Sequence, residues 1–261
     1  MKRLCLLLSI LLMACSGPKH ASTSLVTDGK LWSSLFQQKA AEYKALCIQA
    51  YNIARLRIDD ALKQSFSRPM AIISDIDETF LDNSPYAVHQ ALQEKDYDAN
   101  AWNEWTSKGM ADTLAGALSF FNYAATHNIE VFYISNRRET EKQGTLQNLK
   151  RYNFPFVDEQ HLILRKDISS KEIRRQQVSA THEIILLLGD NLADFSPLFD
   201  TRKTTEARAA TVQELAAEFG KKFIVLPNAN YGGWEDAVYG NNYGLTPVQK
   251  DSAIKSNLKG Y

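Results

Sequence analysis

Four aspartates, Asp75, Asp77, Asp190 and Asp194, stand in two pairs, each just after an apolar run. The first run is Met70-Ala71-Ile72-Ile73. The second is Ile184 to Leu188, closed by Gly189. Runs this short, rich in branched side chains, predict buried strands. In open parallel sheets, ligands collect at the carboxyl ends of the strands. A single acid there reads as a turn residue. Four gathered together would repel one another and raise each other's pKa values. A hard divalent cation removes that repulsion, and Mg²⁺ typically takes one or two carboxylates while keeping waters and a substrate phosphate. The pattern therefore predicts a metal-assisted phosphate site, with Mg²⁺ the expected ion.

Phosphate-ester cleavage needs a nucleophile, a proton donor for the leaving oxygen and charge cancellation around phosphorus. Asp75 can attack phosphorus, and Asp77 can protonate the leaving group and then take a proton from water. Ser135 and Asn136 follow a second apolar run, Ile129 to Ile134, and can donate to phosphate oxygens. Lys171 supplies a fixed positive charge and Asp190 completes the metal site. Asp194 competes with a helix-cap role. Arg137 competes between a phosphate contact and a salt bridge. The five histidines show no ligand spacing.

These residues need strands to carry them and helices to join the strands. Leu31 to Gln64 has one apolar stripe at three- and four-residue steps, which predicts a single helix. Strands are expected at 71–74, 129–134, 161–164, 184–188 and 223–226. Helices are expected at 113–127, 140–152 and 211–219, the last ended by Gly220, with a further helix capped by Ser169 or Ser170 and carrying Lys171. The stretch from Leu81 to Met110 is aromatic, with little periodicity, and reads as an insertion over the sheet. The tail from Asn228 reads as loop and short helix. Strand and helix alternate, which predicts an α/β fold with a parallel central sheet and helices on both faces.

The chain has 261 residues, 44% of them apolar, enough for a full core. Lys2-Arg3 and the apolar Leu4 to Met13 read as a signal peptide over 1–14, too short to span a bilayer. Leu12-Met13-Ala14-Cys15 resembles the bacterial lipobox, in which the cysteine is lipidated. That makes 15–30 a tether and Cys15 a membrane anchor in the bacterial cell envelope, with the outer membrane, facing periplasm or cell surface, as the expected address. Without the leader the chain carries 28 basic and 30 acidic residues, and no basic run suggests a nucleic-acid polymer as partner. Cys47 is alone in a helical pattern and reads as a small core residue.

DIDETFLDNSPY, FYISNR and LLLGDNLADF, in that order and with Lys171 between the last two, resemble the haloacid dehalogenase (HAD) superfamily. More closely, they resemble its class C bacterial acid phosphatases, the lipoprotein 5'-nucleotidase group; PNANYGGWE at 227–235 is similar to that group's C-terminal segment. Ser74 departs from the apolar residue usual before the first aspartate. The resemblance implies a HAD-like, Rossmannoid three-layer α/β/α domain over 31–261, with an N-terminal helix at 31–66 and a small, mainly helical cap at about 81–112. It implies an aspartyl-phosphate on Asp75, Asp77 as acid/base with its carbonyl on the metal, Ser135 and Lys171 on the phosphate, and Asp190 and Asp194 at the metal. It also implies that Tyr231 stacks on a nucleoside base, with Trp102 facing it. The substrates it implies are phosphomonoesters, preferably nucleoside 5'-monophosphates, with nicotinamide mononucleotide in the set. A phosphotransferase or phosphomutase of the same fold and a non-catalytic surface-binding lipoprotein are the alternatives. The oligomeric state is open, a homo-oligomer included.

Overall fold

The computed structural model describes residues 24–201 and 203–261. The leader, Cys15 and the start of the tether lie outside the described residues. In chain order the helices are α1 (Leu25–Lys39), α2 (Ala41–Ala61), α3 (Ser84–Ala91), α4 (Ala99–Ser107), α5 (Ala117–Thr126), α6 (Lys142–Arg151), α7 (Glu172–Ser179), α8 (Leu198–Thr201), α9 (Thr205–Glu214), α10 (Gly233–Val238) and α11 (Pro247–Asn257). The strands are β1 (Met70–Ser74), β2 (Leu81–Asp82), β3 (Asp112–Thr113), β4 (Glu130–Arg138), β5 (Leu162–Arg165), β6 (Glu183–Gly189) and β7 (Phe223–Val225).

Five strands form a parallel sheet in the order β5-β4-β1-β6-β7. Alternate residues of each strand feed two cores, as strand geometry requires. Ile72, Val131, Tyr133, Leu186 and Leu188 pack with α2, α5 and α6 on one face. Ala71, Ile73, Phe132, Ile134 and Leu187 pack with Val178 of α7 on the other. This is the expected three-layer α/β/α architecture. The chain moves from β1 to β4 and β5 on one side, then returns past β1 to β6 and β7. The order therefore reverses at β1/β6, where an open sheet leaves a crevice at its carboxyl edge. The Asp75 amide donates to the Leu188 carbonyl at 2.9 Å and joins the two strand ends there.

Between β1 and α5 the chain folds α3 and α4 across that edge, closed by the short antiparallel pair β2 and β3. Gly144 of α6 lets α4 approach: a β-carbon there would collide with the Thr106 carbonyl oxygen.

Three elements differ from the sequence reading. The predicted single N-terminal helix is two, broken at Ala40, whose ψ of 130° is extended. Alanine has the best helix propensity, so the break is imposed by packing: α1 turns away to cover α3 and α11 while α2 stays on the sheet. Helix α1 also begins at Leu25, inside the predicted tether. The Asp251 carboxylate of α11 accepts from both the Ser24 hydroxyl and the Leu25 amide at 2.9 Å, and so caps α1 from across the molecule. Helix α9 starts at Thr205 rather than Thr211. The Thr204 hydroxyl accepts from the Ala207 amide, a local cap that the stripe-based reading passed over. Strand β4 runs on to Arg138, so Ser135 and Asn136 lie within it.

Candidate active site

The carboxyl edge of the sheet opens into a cavity of about 650 Å³. On its floor, ligand oxygens of Asp75, Asp190 and Asp194 lie within 4.8 Å of one another. Asp75 follows β1 and is 8% exposed. Asp190 follows β6, the strand beside it. Asp194 closes the short helical turn after β6, where its carboxylate accepts from the Asn191 amide at 3.0 Å. Asp194 thus takes the turn role, as the third residue of a capping box whose N-cap is Asn191, and it also stands in the acidic group.

Electrostatics show why three acids this close want a cation. Burial pushes the Asp75 carboxyl up to about 7; Lys171 works against that, and Asp194 and Asp77 add to it. Burial, then Asp194 and Asp75, hold Asp190 well above the usual carboxylate range. Lys171 sits between Asp75 and Asp194, 2.7 Å from the latter, and is 6% exposed. Burial disfavours its charge, but Asp194 and Asp75 outweigh that and raise its pKa. One ammonium against three carboxylates leaves an excess of negative charge. The oxygen-only donor set suits a hard divalent ion, so the residues present fit a hard divalent metal.

The Asp77 carboxylate is not in that group. It is held by Arg137, whose Nη2 donates at 2.7 Å and Nε at 3.1 Å to the same oxygen. Asn83 adds a third donor at 2.9 Å. Of the two roles open to Arg137, the salt bridge is the one the structure displays: the residue is 2% exposed and its guanidinium donates to Asp77 and to Thr145. A buried guanidinium needs a partner of opposite charge, and Asp77 supplies it. Ser135 is fully buried, 3.5 Å from Asp77, and accepts from the Arg137 amide. Asn136 lines the cavity, its side-chain oxygen held by Arg174 at 2.7 Å.

Trp102 and Tyr231 both stand on the cavity wall. Trp102 packs edge-on against Tyr86 of α3 with ring centroids 5.0 Å apart. The Tyr231 hydroxyl donates to Glu78, a partner the sequence reading did not assign. Glu78 has φ +53°, a left-handed conformation uncommon for a side-chain-bearing residue. Tyr231 and the Asn83 amide, which donates at 2.8 Å, tie its carboxylate in place. Thr79 and Asn228 were also passed over. The Thr79 hydroxyl lies 3.4 Å from Asp75 and 3.3 Å from Asp190, with one proton to share between them, and Asn228 donates to Asp190 at 2.7 Å. The DIDET string contained Glu78 and Thr79, but only the fold shows where they point.

Glu78 gives a pH test. Burial, then Asp77, push its carboxyl up to about 8, against hydrogen bonds from Tyr231 and Asn83. The folded protein thus holds a proton that an ordinary glutamate, near 4.5, releases. Between those values the folded state binds more protons than the unfolded one, so metal-free stability falls as pH rises through the window. Asp75 adds to the fall from 3.8 to about 7. Glu78→Gln is expected to flatten the upper part of the decline, read as Tm against pH in chelator. An unchanged slope would show that Glu78 does not carry it.

A family model described as "HAD superfamily, subfamily IIIB (Acid phosphatase)" matches residues 27–234. Two solved structures of the class C acid phosphatase from Bacillus anthracis, one with tungstate bound, are similar at TM-score 0.86 and 38% identity. They cover 90% of this chain and 98% and 99% of theirs. Among curated proteins, acid phosphatase 1 of Solanum lycopersicum is 31% identical over 93 residues, 36% of each chain. The stem 31 kDa glycoprotein of Glycine max is 26% identical over 128 residues, 47% of this chain and 50% of that one. The match thus spans half or less of the length of these two curated relatives.

Proposed function

The chain belongs to the acid phosphatase family of HAD subfamily IIIB, and from that premise we propose that it is a Mg²⁺-dependent phosphomonoesterase acting on nucleoside 5'-monophosphates. One observation carries the reading: Asp75, Lys171, Asp190 and Asp194 converge at the β1/β6 edge, with Asp77 separately oriented beside them. Asp75, Asp190 and Asp194 would hold the metal, with the Asp77 carbonyl as a further ligand. When bound, Mg²⁺ would supply charge to cancel that of the carboxylates and of the substrate phosphate.

The chain's own residues then divide the work. Asp75 attacks phosphorus, forming an aspartyl-phosphate as the bond to the leaving oxygen breaks. Asp77 gives that oxygen its proton. Asp77 next takes a proton from water, whose oxygen attacks the phosphoryl group and frees Asp75 and inorganic phosphate. Lys171, Ser135 and Asn136 steady the phosphate oxygens, and Arg137 keeps Asp77 aimed.

Tyr231 and Trp102 support a nucleotide rather than a bare alkyl phosphate. Stacking on a base is worth roughly 1–3 kcal/mol and tolerates different bases, or about ten- to a hundredfold in kcat/KM. Tyr231→Ala is expected to lose most of that advantage for adenosine 5'-monophosphate while glycerol 3-phosphate loses less. Equal losses on the two would make Tyr231 structural and remove the support for nucleotide preference.

Cys15, in its lipobox-like setting, supports a lipid anchor in the bacterial envelope. Cys15→Ser is expected to move the protein out of the detergent phase in a partition experiment. Unchanged partitioning would exclude Cys15 as the anchor.

A further inference from the structure

Among the described residues, five cationic side chains line the cavity: Lys30, Arg137, Arg165, Lys171 and Lys250. Four are ion-paired. Lys30 and Lys250 both grip Asp96, at 2.7 and 2.5 Å. Arg137 holds Asp77, and Lys171 holds Asp75 and Asp194. The Arg165 guanidinium has neither an ion pair nor a hydrogen bond among the described residues.

Its position gives that freedom a meaning. Arg165 ends β5, the strand beside the one that carries Ser135 and Asn136, so it stands at the same carboxyl edge as the phosphate site. It is half-buried on the cavity wall. Its register partner on β4, past an irregularity in the parallel ladder, is Arg138, a second guanidinium. Arg174 feels it as well: after burial and a counteracting Asp75, the charge of Arg165 helps to lower the Arg174 pKa. Arg174 is already committed, to the Ser135 carbonyl at 2.6 Å and to Asn136. The nearby Glu141 carboxylate accepts from the Arg138 amide at 2.6 Å. The β5 wall thus sets the guanidiniums of Arg138, Arg165 and Arg174 against one carboxylate, Glu141, whose second oxygen is buried without a hydrogen bond, and that of Arg165 is left without a partner among the described residues. A guanidinium matches carboxylate or phosphate oxygens in a bidentate geometry. Tyr97 of the insertion also lines the cavity; burial and then Glu141 raise its pKa, with Arg138 and Arg165 working against them.

We propose that Arg165 forms a subsite for a second oxyanion, a phosphate or carboxylate on the leaving group of the substrate. The enzyme would then favour phosphomonoesters with a further anionic group over those whose leaving group is neutral. The proposal rests on the phosphomonoesterase reading and adds to it a selectivity that base stacking does not supply.

Two substrate pairs test it and separate the two kinds of oxyanion. Adenosine 3',5'-bisphosphate is compared with adenosine 5'-monophosphate, and 3-phosphoglycerate with glycerol 3-phosphate. Holoenzyme is expected to prefer the more anionic member of at least one pair by roughly tenfold in kcat/KM, the scale of one charge-assisted contact. In Arg165→Gln that ratio should fall toward one, and Arg165→Lys should keep part of it. A general fold defect would lower both members of a pair and leave the ratio unchanged. Ratios near one in the wild type, or a ratio that survives Arg165→Gln, would overturn the subsite while leaving the phosphatase reading intact. No turnover of any of the four would overturn both.

Discussion

Replacement of Asp75 by asparagine is expected to remove phosphate-ester turnover while leaving the protein folded. The amide keeps the shape of the carboxylate and can still accept from Lys171, but it cannot attack phosphorus. Loss of a covalent nucleophile costs several powers of ten in kcat, on the order of 10⁴–10⁶. Stability should not suffer. Burial and neighbouring acids push the Asp75 pKa up to about 7, so its charge is a burden on the metal-free fold rather than a support. The measurement is kcat on p-nitrophenyl phosphate, with circular dichroism and Tm on the same preparation. Wild-type-like turnover by the folded variant would sink the aspartyl-phosphate mechanism.

The second large effect concerns the metal. Chelation is expected to abolish activity, and added Mg²⁺ to restore it. Asp190→Asn should raise the Mg²⁺ concentration for half-activity by at least about 100-fold, since loss of even a supporting partner of a metal ligand costs 10–100-fold. Asp190 is the sharper position to change because it takes no part in proton or phosphoryl transfer in this scheme. Its raised pKa has burial as its largest cause, with Asp194 and Asp75 next. Full activity in excess chelator would refute a metal requirement. An unchanged Mg²⁺ dependence in Asp190→Asn would remove Asp190 from the metal site while leaving the other two carboxylates in it.

The two tests also separate the roles of the cluster. Asp75→Asn should stay inactive at any Mg²⁺ concentration, whereas Asp190→Asn should recover at high Mg²⁺. If both recover, Asp75 is only a ligand.

Much of the architecture was legible because its signals are local. A buried strand shows as a short branched run, and the aspartates that end β1 and β6 follow those runs directly in sequence. Parallel strands need long crossovers, so the spacing of runs and stripes was enough to read an α/β sheet. The order of motifs, with Ser135 and Lys171 between the two aspartate pairs, is likewise a property of the chain alone. The start of α9 was missed although its signal, the Thr204 cap, is local; at the Ala40 break and the start of α1 the deciding partners were distant: α1 packs on α3 and α11, and Asp251 caps it from 226 residues away.

What the sequence determined by itself is therefore the set of chemical groups and the strands that deliver them. Which group meets which was decided only by the tertiary structure. Arg137 lies 60 residues from Asp77, Tyr231 lies 153 from Glu78, and Lys171 lies 96 from Asp75. None of these spacings is a helical or strand period, so no pattern announces them. The five histidines make the same point: without any ligand spacing in sequence, His161 and His182 both come to face Glu130 at the far end of β4. The reason is the sheet order. Placing β1 between β4 and β6 brings three separate strand ends together, and buried charges at that edge must then find partners across the fold, because leaving them unpaired in a low-dielectric interior costs more than any local preference.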